Sequence, residues 1–366
     1  MSDSQAAAQV GKTAQTGSPG SDGEPGAAAR AADGSGPESG TAPAAPAGGA
    51  PAAGGGAGAG RGVLGLVTAV MGSRVVRWGF VAVTVAIGVF AVVRDWSSLR
   101  HALASLGFLP VAGALVAILA ALTAAMQVWR VLLGALGSPL PARPAARIMF
   151  IGQLGKYLPG SIWPVLAQME LGNEYQVPRR RSASASVLTM VITVLTGLLT
   201  ALVALPFVAG STNYAWALLA APVLLVLLIP RVLNAALNKV MKVARRPPLE
   251  VELTGRAVAG ALGWSFVSWA CYGAQIWVLV TALGAPAGKA ALLSLGGFAF
   301  AWTVGFLFVI APAGAGVRDV LLALTLGLVI GHGAALAIAL VSRVLATIGD
   351  LITAGVAAAF TRRPGT

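Results

Sequence analysis

Beyond residue 60 the chain is dominated by long apolar stretches, separated by short charged or small-residue segments. Runs of this length match the roughly 20 residues a helix needs to cross a bilayer. The pattern predicts spans near 75–93, 109–133, 184–208, 214–230, 257–283 and 334–360. Two further apolar stretches, 148–171 and 290–331, are interrupted. The first holds Gly155, Lys156, Pro159, Gly160 and Pro164 at its centre, where a plain span would carry Leu and Val. Proline removes a backbone donor and crowds the preceding turn. Hydrocarbon tolerates such a break only where protein or a polar cavity surrounds it. The second carries Pro312, Gly314 and Gly316 just before Arg318 and Asp319. The predicted fold class is all-α: a polytopic helical membrane protein with about six full spans plus two broken or re-entrant helical hairpins.

Basic flanks orient such a chain, because Lys and Arg accumulate on the cytoplasmic side. Arg61, Arg74 and Arg77 precede the first span and place the N-terminus inside. Arg143 and Arg147 on one side of 148–171, and Arg179, Arg180 and Arg181 on the other, predict that this stretch enters and leaves on the inner face. The uncharged loop 209–213 is expected outside. The loop 231–256 is basic, and Leu233, Leu237, Val240 and Ala244 recur in it at helical spacing. That fits an amphipathic helix on the inner leaflet, or a solvated loop whose charges orient the chain. Arg362 and Arg363 place the C-terminus inside. Segment 290–331 then begins and ends outside, as a hairpin or as two complete crossings. Two broken elements of opposite entry point to a midplane site between inverted halves.

Composition sharpens this reading. The 366 residues are 57% hydrophobic and 10% charged, with mean hydropathy +0.82. Residues 1–60 are rich in Ala, Gly and Pro and read as a disordered cytoplasmic tail, leaving 61–366 as the transmembrane domain. The formal net charge is +13. The bases sit beside apolar spans, so the expected partners are anionic membrane phospholipids and not nucleic acid. Arginine outnumbers lysine, as in GC-rich bacterial genes, which predicts a bacterial inner membrane. Cys271 is the sole cysteine, and His101 and His332 lie far apart, so no disulfide, metal site or cofactor is expected. No Ser/His/Asp or nucleotide motif points to a self-contained enzyme. Oligomeric state, including a homo-oligomer, stays open.

Several motifs resemble a known family. They are Trp129-Arg130-Val131-Leu132-Leu133, Gly155-Lys156-Tyr157-Leu158-Pro159-Gly160-Ser161-Ile162-Trp163-Pro164, Pro312-Ala313-Gly314-Ala315-Gly316-Val317-Arg318-Asp319 and Ser342-Arg343. Over roughly 75–360 the chain resembles the flippase-like transmembrane region of lysylphosphatidylglycerol synthases. Members of that family often have Glu where Asp319 stands. Full synthases add a soluble domain that moves an aminoacyl group from tRNA to phosphatidylglycerol. Here the sequence runs six residues past its last predicted span, so that transferase is expected to be absent. The resemblance implies a role in binding or moving an amphiphilic lipid.

Ionisable residues inside spans are costly and are functional candidates by default. Lys156 is placed to meet a phosphate, or to snorkel to the inner interface. Glu170 and Glu174 share a helix face, and Glu170 is expected to be the buried one of the two, in a site or an ion pair. Arg318 and Asp319 follow the glycine-rich break, where backbone amides favour an anion. Arg343 and Asp350 lie seven apart, too far to pair with each other, so each needs a partner elsewhere. Asp319 or a phosphate suits Arg343. The predicted head-group site is therefore Lys156, Glu170, Arg318, Asp319, Arg343 and Asp350. Trp78, Trp96, Trp129 and Trp216 lie near span ends and read as interface residues, whereas Trp163 reads as packing within the hairpin. The leading function is a lipid-binding or lipid-translocating membrane protein. The rivals are a membrane subunit of a lipid-modifying enzyme whose catalytic domain is a separate soluble chain, and a polar-solute or ion transporter.

Overall fold

The structure is a computed structural model and describes residues 104–157, 162–204, 219–243, 251–307 and 316–360. The predicted span 75–93 and the 1–60 tail fall outside them, as do Pro159, Gly160, Pro312 and Gly314. The described residues are helical, with no strand among them. In chain order they form α1 (Phe108–Ala135), α2 (Ala142–Ala146), α3 (Trp163–Asn173), α4 (Arg179–Ala201), α5 (Ala220–Leu227), α6 (Pro230–Val243), α7 (Gly255–Ala282), α8 (Ala287–Leu307), α9 (Val317–Ile330) and α10 (His332–Phe360). Five of these helices, α1, α4, α7, α8 and α10, are long and apolar enough to cross a membrane.

The predicted spans at 109–133, 257–283 and 334–360 correspond closely to α1, α7 and α10. The one at 214–230 ends at a sharp turn. Its described part is α5, which bends by 68° into α6. Pro230 opens α6 and disfavours helical geometry in the residue before it, which explains the break. The apolar side of α6 does not face lipid throughout. Leu233 and Leu237 are buried in the protein's own core beside Leu224, Leu228 and Leu253. Asn234 clips α6 to the following segment, donating to Leu253 O at 3.1 Å and accepting from Leu253 N at 2.9 Å. Arg231, Lys239 and Lys242 remain exposed.

Two apolar cores fill opposite ends of the bundle. One joins the end of α1 (Met126 to Leu136) to the starts of α4 and α7, with α6 and Ile148. The other joins the start of α1 (Ala114, Ile118) to the end of α7, with α8, α9 and the start of α10. Interhelical hydrogen bonds tie these layers. Trp129 Nε1 donates to Ser186 at 3.2 Å, Trp269 Nε1 to Thr196 at 3.1 Å, and Gln275 Nε2 to Ser342 at 2.8 Å. Such bonds contribute about 0.6 kcal/mol each on average between membrane helices. Trp129 is thus a core residue with no exposure, not an interface residue. Its position near a span end does not reveal that Ser186 offers it a buried acceptor.

The first broken element is built from two limbs. One continues α2 through a π-turn (Arg147–Ile151) and a 3-10 turn (Leu154–Tyr157); the other is α3. The limbs touch at Gly155. A Cβ there would lie 2.7 Å from Pro164 N, so only glycine lets the two backbones approach. Both ends of this segment lie together. Arg181 Nη1, at the start of α4, donates to Gly137 O, just past α1, at 2.9 Å. A chain that departs and returns within one hydrogen bond has made a hairpin. Arg147, expected as a free orienting charge, is instead buried in the π-turn; Arg143 is exposed.

The second broken element is α8 followed by α9. α8 alone has the length and composition of a span, whereas the 14 residues of α9 reach only about 21 Å. Small residues let them pack tightly. A Cβ on Gly297 would meet Thr325, and one on Gly305 would lie 2.9 Å from Arg318 Cβ.

Candidate functional site

Both broken elements deliver charge to α10. From the hairpin, Lys156 Nζ lies 2.8 Å from Asp350 Oδ1 and 2.7 Å from Oδ2. The neighbouring Tyr157 hydroxyl donates to Asp350 Oδ2 at 2.6 Å. A small apolar cluster of Leu154, Tyr157 and Ala354 seats the hairpin against α10 around this contact. From the second element, Asp319 Oδ2 accepts from Arg343 Nη1 at 2.6 Å. The same oxygen accepts from Gly316 N at 3.1 Å. Gly316 has φ 84°, a left-handed turn open to glycine, so the chain can fold Asp319 back onto the start of its own helix.

Arg343 and Asp350 are two turns apart on α10, about 10 Å along the axis. They do not pair with each other. The sequence expectation that each takes a partner from elsewhere matches the geometry, with Asp319 and Lys156 as those partners.

Arg318 is arranged differently. Its guanidinium carbon lies 4.8 Å above the centre of the Phe298 ring. Phe298 in turn stacks with Tyr272 of α7, centroids 5.1 Å apart. No carboxylate among the described residues lies within ion-pair distance of Arg318. Asp319, Arg343, Tyr157 and Tyr272 all lie within its electrostatic range. The hairpin, α7, α8, α9 and α10 therefore converge on one charged and aromatic cluster.

Lys156, Arg318, Asp319, Arg343 and Asp350 belong to this cluster, with Gly155 and Gly316 shaping the backbone at its edges. Pro164 lies on the second limb of the hairpin, against Gly155. Glu170 does not join the cluster: it pairs with Arg179 at 2.9 Å across the turn between α3 and α4, partly exposed. Three members were not singled out from sequence: Tyr157, Tyr272 and Phe298. Tyr157 stands beside Lys156, and a tyrosine within an apolar stretch needs an acceptor for its hydroxyl. Phe298 and Tyr272 give no comparable signal, because core aromatics look the same in sequence.

The comparisons agree with this architecture. Residues 79–354 match the family described as Lysylphosphatidylglycerol synthase TM region, which is well over half of the chain. The protein belongs to that family and is a multi-pass integral membrane protein. Among curated proteins none matches.

Proposed function

We propose that this protein binds the head group of an anionic or modified phospholipid and carries it between leaflets, with the acyl tails remaining in the bilayer. The observation that carries the reading is Arg318: a half-buried guanidinium over an aromatic face, with no carboxylate among the described residues within ion-pair distance. A lone arginine among membrane helices is costly unless an anion meets it. Lys156 and Arg343, by contrast, are already neutralised by Asp350 and Asp319. The family's printed description, a region of lysylphosphatidylglycerol synthases, points toward lipid chemistry. On this reading the chain performs no catalysis itself and needs no cofactor. It sits in a bacterial inner membrane with both termini cytoplasmic, and the hairpin 148–171 re-enters from the inner face.

The test is leaflet-specific quenching of labelled lipid in proteoliposomes, with lipids retained through gentle purification identified by mass spectrometry. Acceleration over protein-free vesicles, lost in Arg318→Ala, supports the reading. No acceleration for any anionic or aminoacylated lipid, with or without an ion gradient, overturns it. Equal acceleration of a small hydrophilic solute would favour the solute-transporter rival.

One observation favours a second reading. Arg231, Lys239 and Lys242 form an exposed basic side on α6, whose apolar residues Leu233 and Leu237 are spent on the core. A separate soluble lipid-modifying enzyme with an acidic face would fit there. Its recovery with wild-type protein, and loss with the three bases changed to Gln, would shift the weight to this reading.

A further inference from the structure

The two ion pairs on α10 are built differently. Asp350 uses both oxygens, held by Lys156 and Tyr157 together. Asp319 engages Arg343 through one oxygen, the same Oδ2 that caps Gly316, and no described residue donates to its Oδ1. Arg343 likewise offers Asp319 one nitrogen, Nη1. A guanidinium carries five N–H donors and binds best through two parallel bonds. The Arg343–Asp319 contact is therefore a single-point pair, weaker than these groups can form.

Charge points the same way. Lys156 and Asp350 cancel. Arg318, Asp319 and Arg343 together carry one net positive charge, and the Asp319 carboxylate pairs with Arg343 alone. Arg318 is the chain neighbour of Asp319, which Arg343 meets at 2.6 Å. An anion that reaches Arg318 also reaches the neighbourhood of Arg343.

We propose that Asp319 is the resident counter-ion of Arg343, displaced when a phosphate binds at Arg318, and that its competition sets how strong an anion must be to occupy the site. This rests on the anion-binding reading above and deepens it. A phosphate presents oxygens that engage two guanidiniums at once, which the single Asp319 oxygen does not. A head group with no net charge gains less, because Arg318 and Arg343 repel its own cation. The Lys156–Asp350 pair is the contrast: fully engaged, it holds the hairpin and does not exchange.

The experiment titrates the purified full chain in neutral detergent by calorimetry. The probes are dihexanoylphosphatidylglycerol, free glycerol 1-phosphate and dihexanoylphosphatidylcholine. Asp319→Asn is expected to bind the anionic lipid probe about tenfold tighter than wild type. Asp319→Glu returns toward the wild-type value, and Glu170→Gln, a charge removal outside the cluster, shows no tightening. Comparable tightening for glycerol 1-phosphate would assign the site to free phosphate; tightening for the lipid alone assigns it to a head group. If Asp319→Asn fails to fold, Asp319→Gln, which keeps an amide oxygen as acceptor but no charge, takes its place and must bind tighter than wild type. Unchanged or weaker binding on removal of the Asp319 charge overturns the inference. So does equal tightening in Glu170→Gln, since that would be a general effect of charge. The two proposals fail separately. Wild-type protein that does not prefer the anionic probe, with no loss in Arg318→Ala, defeats the anion site itself. Binding that needs Arg318 but ignores Asp319 defeats only the exchange.

Discussion

Tyr157 and Asp350 are 193 residues apart in sequence and share a hydrogen bond of 2.6 Å. Together with Lys156 this bond fastens the hairpin to α10. The two charged partners are not equally deep: the Lys156 side chain is 33% exposed and that of Asp350 only 5%. Removing either leaves the other charge behind, but lysine can swing its long stem toward water and aspartate cannot. Lys156→Met is therefore expected to destabilise by about 3 kcal/mol and Asp350→Asn by less. The Lys156→Met/Asp350→Leu double variant should recover much of the loss. Thermal melts in detergent check the order. A larger loss for Asp350→Asn would mean that Lys156 is the trapped group.

Gly155 makes a sharper structural prediction. Its absent side chain faces the backbone of Trp163 and Pro164, which cannot rotate aside as a flexible side chain would. Gly155→Ala must part the two limbs of the hairpin, at a cost of about 1–3 kcal/mol. Gly288→Ala, with nothing within 4 Å, is the matched control and should be nearly silent. Equal melting temperatures for the two variants would show that the limbs are not packed at Gly155.

Much of this arrangement is legible in the sequence, and the parts that are not have physical reasons. Unbroken apolar runs mark α1, α7 and α10 because a membrane helix satisfies its own backbone and needs only length. Breaks at Pro and Gly mark the hairpin and the start of α9 for the same reason. The change from the apolar span to the basic stretch after Pro230 marks where the chain turns, but the 68° angle is set by packing of Leu233 and Leu237 on the core. Positive-flank reasoning treats every arginine as solvated, yet Arg147 is buried and Arg181 is spent on Gly137 O. The need of Arg343 for a distant carboxylate follows from the cost of a lone charge. The Phe298 ring beneath Arg318 does not follow, since cation–π partners are set by tertiary packing alone.

Topology is testable with single cysteines in a Cys271→Ser background. Ser182 would look like a natural inner-face probe from the sequence, but it is buried and donates to Gln168 O at 3.0 Å. Exposed positions serve better. Asn173→Cys, at the end of α3, should label only from the cytoplasmic side. Lys289→Cys, at the start of α8, and Gly333→Cys, at the start of α10, should label from outside. Labelling of Asn173→Cys from outside would show that the hairpin enters from the opposite face.

The two arginines of the cluster separate folding from function. Arg343→Ala strands Asp319, which is 7% exposed, without its cation. Breaking a buried pair this way is expected to cost about 3 kcal/mol, so loss of activity in that variant would be mixed with loss of structure. Arg318→Ala strands no carboxylate among the described residues. It gives up a cation–π contact of about 1 kcal/mol and relieves the cost of an unpaired cation among apolar helices. Its melting temperature should therefore stay near wild type, while anionic lipid binding and translocation fall at least tenfold. Arg318→Lys should recover only part of the activity, because an ammonium keeps the charge but lacks the planar fork that engages two phosphate oxygens. A clear fall in melting temperature for Arg318→Ala, matching that of Arg343→Ala, would mean that Arg318 holds the bundle together, and that an anion is not what it waits for.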